Sequence, residues 1–282
     1  MSIFDQKVIK YEMKPLSSLE KVFPDETPVY RMECQMLSGL WGETVSFQVA
    51  YTGDFVMRER LDVRVVSELA EHVHVRTVEM VPVGRATNGI VDDNYLKTTS
   101  GLYPDLLKDL KDGKVIVYSR QWRSLWVDVD ITNEIPAGEY EIELQLIKEG
   151  EVVCSAKQKV TVIGTELPKL DIMHTEWMHA DCLADYYHVE VFSEEHWKLL
   201  ENYFQEYVKR DCNMMLTPLF TSPLDTAIGL ERTTCQLIDV EVKDGEYVFG
   251  FEKLKRWIDL CKKCGIEYFE MSHLFSQWGA KY

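Results

Sequence analysis

The chain has 282 residues, 46% of them hydrophobic, which is more core-forming material than one all-β module of ordinary size needs, so two domains are expected. A formal net charge of −16 and an isoelectric point near 4.9 argue against a nucleic-acid partner, because tracking phosphates requires a basic face; neutral ligands suit the chain better. Seven cysteines without framework spacing fit reduced thiols, and no signal-like or membrane-length apolar run is present, so the expectation is a cytoplasmic protein with no membrane partner.

From Val29 to about Gly164 apolar and polar residues alternate, as in ETVSFQVAYT (Val45, Phe47, Val49, Tyr51), LDVRVVSE (Leu61, Val63, Val65) and WVDVDI (Val127, Val129, Ile131). Period two predicts half-buried strands. Tyr140, Ile142, Leu144 and Leu146 lie on one face of a strand that turns at Lys148 to Glu151 and returns to about Val162. Several such strands with short turns predict a β-sandwich over residues 1–165. GLYPDLLKDLKDG, Gly101 to Gly113, is punctuated by Pro and Gly and is expected to be a long loop with at most a helical turn.

After Leu167-Pro168 the pattern changes to alternating strand and helix. Leu170 to Trp177 is expected to be a short strand. Ser193 offers an N-cap ahead of Glu194 and Glu195, and Trp197, Leu200, Phe204, Tyr207 and Val208 recur at helical spacing. Met214 to Phe220 reads as a second buried strand, and a hairpin over Leu237 to Phe249 turns at Asp244-Gly245. Leu254, Trp257, Ile258 and Cys261 line a further helix, Gly265 suits its left-handed end, and IEYFEMSHLF forms a third strand. RDCNMM at Arg210 and KKCGIE at Lys262 repeat the helix-to-strand junction at roughly 50 residues, the size of a β/α unit. The fold class is therefore multidomain, β plus α/β. An N-terminal β-sandwich is followed, over residues 166–282, by the first three strands of a (β/α)8 barrel, which at about 200 residues or more would remain incomplete in this chain.

Barrel enzymes carry their working groups at the C-terminal ends of the strands. That places the segment HTEWMHADCLADYYHVEVF, with three histidines and four carboxylates, at the first such end, Thr217 to Asp225 at the second and Glu270 to Trp278 at the third. A metal site is not expected: His174 and His179 are five apart and cannot share one face of a strand, and HTEWMH is not HExxH. CKKC, Cys261 to Cys264, lies on the apolar stripe of a helix and reads as buried cysteine. A sugar site needs aromatic faces and hydrogen-bonding groups. Trp177, Tyr186, Tyr187 and Trp278 could supply the first, and Glu176, His179, Asp181, Glu270, His273 and Gln277 the second. The alternative is that both tryptophans cap a core and the acids are merely solvated.

HTEWMHADCLADYYHVEVFSEEHW, NMMLTPLFTSPLDTAIGLERTTCQLIDV, FGFEKLKRWIDLC and YFEMSHLFSQWGA, with weaker support from LYPDLL and SLWVDVDI, resemble glycoside hydrolase family 123 and its uncharacterised relatives. The resemblance implies a β-sandwich before a (β/α)8 catalytic domain, and an exo-acting β-N-acetylgalactosaminidase that uses the substrate's acetamido group as nucleophile with no cofactor. It also implies an adjacent Asp-Glu pair on a later barrel strand. Residues 166–282 contain no Asp-Glu dipeptide, so no catalytic residue is assigned, and the chain is expected to be a truncated glycosidase, inactive alone, whose partner would be the remaining half of the barrel. The competing expectation is a non-catalytic carbohydrate-binding or assembly module.

Overall fold

The computed structural model describes residues 10–29, 36–55, 58–87, 89, 91–169, 171–221 and 226–273. Two compact units divide the chain, Met1–Pro168 and Lys169–Tyr282.

The first unit contains β1 (Lys10–Ser17), β2 (Met36–Trp41), β3 (Thr44–Asp54), β4 (Glu59–Val66) and β5 (Val73–Val83). These are followed by β6 (Gly101–Asp109), β7 (Lys114–Val117), β8 (Arg123–Asp130), β9 (Gly138–Lys148) and β10 (Glu151–Glu166). They form two five-stranded sheets, ordered β1-β3-β8-β5-β6 and β2-β10-β9-β4-β7. Phe47, Val49, Leu125 and Val127 of the first sheet share one core with Leu61, Ile142, Leu144 and Val160 of the second. The register explains why the alternation works: Phe47 lies opposite Val127 and Val49 opposite Leu125, so apolar residues meet across the strands on the inner face.

Several connections are set by two-residue turns. Glu149-Gly150 and Asp112-Gly113 both have two positive φ angles (51° and 88°; 56° and 65°), the backbone that type I′ turns require and that the twist of paired strands favours. The expected loop at 101–113 is instead mostly strand β6. Pro104 is compatible with it because β6 is an edge strand, where a missing N–H is tolerated, and the register slips by one residue opposite Met80 and Pro104 to accommodate it.

In the second unit α2 (Glu194–Val208), β11 (Met214–Thr217), α3 (Glu252–Cys264) and β14 (Tyr268–Met271) follow a short helix α1 (Ala180–Tyr187). The hairpin β12 (Asp239–Lys243) and β13 (Glu246–Gly250) lies between β11 and α3. Strands β11 and β14 pair in parallel. Ser193 Oγ accepts the His196 N–H (3.2 Å), and Gly265 ends α3 at φ 104°, both as the sequence indicates. Trp197, Leu200 and Phe204 of α2 and Trp257 and Cys261 of α3 pack with Met215 and Phe269 on one face of the strand pair. A bidentate ion pair from Arg256 to Glu194 (2.6 and 2.8 Å) ties the two helices. By strand alternation Met214, Leu216, Tyr268 and Glu270 take the opposite face.

Two expectations are corrected. Residues 171–177 form no strand: their backbone groups bond to the Asn213 and Tyr207 side chains, and only the His174 carbonyl takes backbone N–H groups, those of Asn213 and Met214. The segment expected as the first βα loop contains α1, whose start has no side-chain cap and whose eight residues leave little periodicity to read.

Leu144 is fully buried at the centre of the first unit. Leu144→Ala is expected to destabilise that unit by about 2–5 kcal/mol in urea unfolding, the usual cost of a large-to-small core substitution. A cost below about 1 kcal/mol would contradict the packing described.

Candidate functional site

The segment leading into α1 is held beside β11 by side chains. Asn213 Oδ1 accepts the His174 N–H (2.8 Å) while its Nδ2 donates to Ile172 O (2.8 Å). The backbone N–H groups of Asn213 and Met214 both donate to His174 O (3.0 and 3.1 Å). The Tyr207 hydroxyl accepts the Glu176 N–H (2.8 Å) and lies 2.6 Å from Met214 O and 2.9 Å from Glu176 O, so one phenol joins α2, β11 and the segment.

The next residue is thereby delivered to the end of β14. Trp177 Nε1 donates to Glu270 Oε2 (2.9 Å), bringing together two of the expected site residues across 93 positions of sequence. Trp177 remains 50% exposed, so its indole has a face free for stacking. Glu270 is half-buried on the face of the sheet that the helices leave uncovered. Its N–H partner occupies one carboxylate oxygen and leaves the other able to accept a ligand hydroxyl.

The other expected residues are distributed more widely. Glu176 is exposed, with its carboxylate 3.6 Å from His174 Nε2. His179 is half-buried just before α1, and its carbonyl accepts the Cys182 N–H (3.2 Å). Asp181 is buried in α1 and forms an ion pair with Arg232 (2.7 Å to Nη2, 2.8 Å to Nε), while Asp185 accepts from Thr233 Oγ1 (2.8 Å). Together these contacts clamp α1 to the segment after β11. Tyr187 meets the Tyr203 hydroxyl on α2 (3.0 Å). His273 is half-buried, and its Nε2 is shielded from solvent without a partner among the described residues. Gln277 and Trp278 lie outside the described residues.

Burial raises the thiols of Cys182, Cys212, Cys261 and Cys264, and pushes that of Cys235 up to about 12, so these thiols are held neutral, and Cys235 and Cys261 are packed in the core of the unit. Among the described residues no group of three His, Cys, Asp or Glu side chains is placed to hold a metal ion. Arg232, Tyr207 and Asn213 escaped the sequence reading. Their partners are 51, 31 and 39 positions away, and no local spacing announces such pairs.

Residues 177–282 match the family model of the glycoside hydrolase 123 catalytic domain. The chain resembles glycoside hydrolase family 123. A solved family 123 glycoside hydrolase from Clostridium perfringens, described as hydrolysing glycolipid glycans, superposes with a TM-score of 0.63 at 14% identity and shares the fold over 92% of this chain. This chain spans 46% of that protein's length. A β-glucosidase from Listeria innocua (10% identity, 57% of this chain, 17% of its own, TM-score 0.26) and a CARDB domain from Pyrococcus furiosus (13%, 55%, 94%, TM-score 0.26) align too slightly to indicate a common architecture. No curated protein matches at a significant level. The family 123 match coincides with the unit that carries Trp177, Glu270 and α1. Among the described residues no helix is long and apolar enough to cross a membrane.

His196 provides a pH test of this unit. It is fully buried; its Nδ1 accepts the Phe192 N–H (2.9 Å) and its Nε2 donates to Ala180 O (2.9 Å), an arrangement open only to the neutral ring. Burial lowers its pKa, against the smaller opposing effect of the Ala180 carbonyl. The unfolded chain therefore binds a proton that the folded one refuses, and this contribution to stability is complete above about pH 6.5 and is lost as pH falls below it. Thermal melts should show the second unit weakening between pH 7 and 5.5, with the His196 imidazole still neutral by NMR at pH 6; a protonated ring in the folded state at pH 6 would contradict the assignment.

Proposed function

We propose that the chain is a β-sandwich (residues 1–165) followed by the first β/α units of a (β/α)8 barrel (166–282), and that it binds carbohydrate at the C-terminal ends of the barrel strands. The ligand class is a β-linked N-acetylhexosamine glycan, with N-acetylgalactosamine first among candidates. The single observation that carries this reading is the Trp177–Glu270 pair: a half-exposed indole fixed by its own N–H beside a carboxylate with a free oxygen, on the sheet face opposite the helices. An aromatic ring for the apolar side of a pyranose beside an acceptor for its hydroxyls is the minimum equipment of a sugar subsite. The family 123 match over the same residues supports the glycan reading.

Within this proposal the other residues have separate tasks. Glu176 and His179 flank the indole in sequence, and His273 follows β14 by two residues; these are the further groups offered to sugar hydroxyls. Asp181 serves through Arg232, holding α1 in place rather than presenting its carboxylate to ligand. Residues 166–282 contain no Asp-Glu dipeptide, the pair that the family resemblance implies for substrate-assisted chemistry, and we propose that these 282 residues by themselves bind glycans without hydrolysing them.

Trp177→Ala should weaken binding of an N-acetylhexosamine by about 1 kcal/mol in calorimetry, in line with the worth of an aromatic contact. Unchanged affinity with an intact circular dichroism spectrum would move Trp177 to a structural role. The same preparation, offered aryl β-N-acetylgalactosaminide and β-N-acetylglucosaminide, should release no aryl group above a heat-denatured control. Turnover abolished by Glu270→Gln would instead make that carboxylate part of a catalytic pair.

A further inference from the structure

Where the β6 edge of one sheet approaches the β7 edge of the other, the first unit holds a cleft of about 740 Å³, a volume within the usual range for a small-ligand pocket. Val115, Ile116 and the buried Tyr51 give it an apolar floor. Five cationic side chains and three carboxylates line it, a local excess of positive charge in a chain whose net charge is −16.

The pairing within the cleft leaves the cations in excess. Glu59 accepts from Lys148 Nζ (2.9 Å) and from the Tyr11 hydroxyl. Asp109 meets the His74 ring (3.0 Å), and Glu79 accepts from Thr77 Oγ1 (2.8 Å). Arg60 is paired with Asp112 (2.8 Å) and Lys114 with Asp62 (3.1 Å). Of the three carboxylates only Glu59 is met by a lysine, Asp109 and Glu79 being met by a His ring and a hydroxyl, whereas three cations, Arg58, Lys108 and Lys111, have no acidic partner among the described residues. The rim that presents Lys111 is fixed. Arg60 Nη2 donates to Lys111 O (3.2 Å), the Lys114 N–H donates to the same carbonyl (3.1 Å), and the Asp112-Gly113 turn closes between them.

We propose that this cleft binds an acidic sugar residue, a ring carrying a carboxylate or a sulfate ester. The three cations without an acidic partner outnumber the two carboxylates that no lysine or arginine meets, and this surplus beside an apolar floor favours an oxyanion over a neutral ligand. The apolar floor takes the C–H face of a ring, which a free inorganic anion would leave wet. A divalent cation is disfavoured by the surplus positive charge. A nucleic acid is disfavoured by the charge of the whole chain. That the ring is a sugar rests on the glycan reading above, whereas the requirement for an oxyanion rests on the cleft alone.

The test uses the full chain, titrated by amide and indole NMR with N-acetylglucosamine 6-sulfate, glucuronic acid, neutral N-acetylglucosamine and sodium sulfate, at low and at physiological salt. The acidic sugars should shift the amides of Lys114 to Val117 and bind there more tightly than the neutral sugar, with affinity falling as salt rises. Lys108→Ala/Lys111→Ala should weaken that binding by about fivefold or more while Lys108→Arg/Lys111→Arg retains it, since charge rather than shape is being tested. A response to only one of the two acidic sugars identifies the oxyanion and upholds the proposal. Equal binding of neutral and acidic sugars, equal binding of sodium sulfate, or wild-type affinity in the alanine variant would overturn it. The Trp177 indole signal reports the other site independently: a neutral sugar that moves it while the cleft amides ignore all four ligands would overturn this proposal and leave the Trp177 reading standing.

Discussion

The second unit depends on one phenol. Tyr207 sits on α2, buries its ring against the helical core and places its hydroxyl among the Glu176 N–H, the Glu176 carbonyl and the Met214 carbonyl. These are backbone groups that a regular strand at 171–177 would have paired in a ladder. Because buried or half-buried backbone polar groups must find partners, the chain uses this hydroxyl and the Asn213 carboxamide in place of a ladder. Trp177 follows directly from Glu176, so its arrival at Glu270 is a consequence of how those partners are met. Burial also raises the Tyr207 pKa, which keeps the hydroxyl protonated and able to donate throughout the neutral range.

Around that anchor the helices and the clamp on α1 do different work. The Trp197, Phe204 and Trp257 rings pack edge to face behind β11 and β14, with Phe204 and Trp257 centroids 5.0 Å apart, and hold the strand pair from one side. The Asp181–Arg232 ion pair is nearly closed to solvent, a setting in which removing the guanidinium leaves the Asp181 charge buried without it. A pair of that kind adds little net stability over an apolar alternative, but it ties α1 to one position on the chain after β11. The surface left open on the other side of the strands is the one that carries Glu270.

Much of this was legible in the sequence. Period-two alternation located β3, β4, β8, β9 and β10, because each has one face in a common core. The Ser193 cap, the Gly265 stop and the apolar stripe between them gave α2 and α3. What could not be read shares one cause: the deciding interaction was not local. Pro104 looks like a breaker until β6 is known to be an edge, and residues 171–177 look like a strand until Tyr207 and Asn213 are known to take their hydrogen bonds. The position of Glu270 near a strand end was visible, whereas its hydrogen bond from Trp177, which follows a segment that forms no strand, was not. Asp181 reads as a group for sugar hydroxyls because nothing near it in sequence reveals Arg232.

The central claim is that an indole positioned by Tyr207 and fixed by Glu270 forms a sugar-contact surface. The most direct measurement is a crystal structure of the chain soaked with N-acetylgalactosamine. A pyranose should stack on the exposed face of Trp177 with one hydroxyl donating to the free oxygen of Glu270. Sugar bound elsewhere, with the Trp177 indole still covered only by solvent, would contradict it.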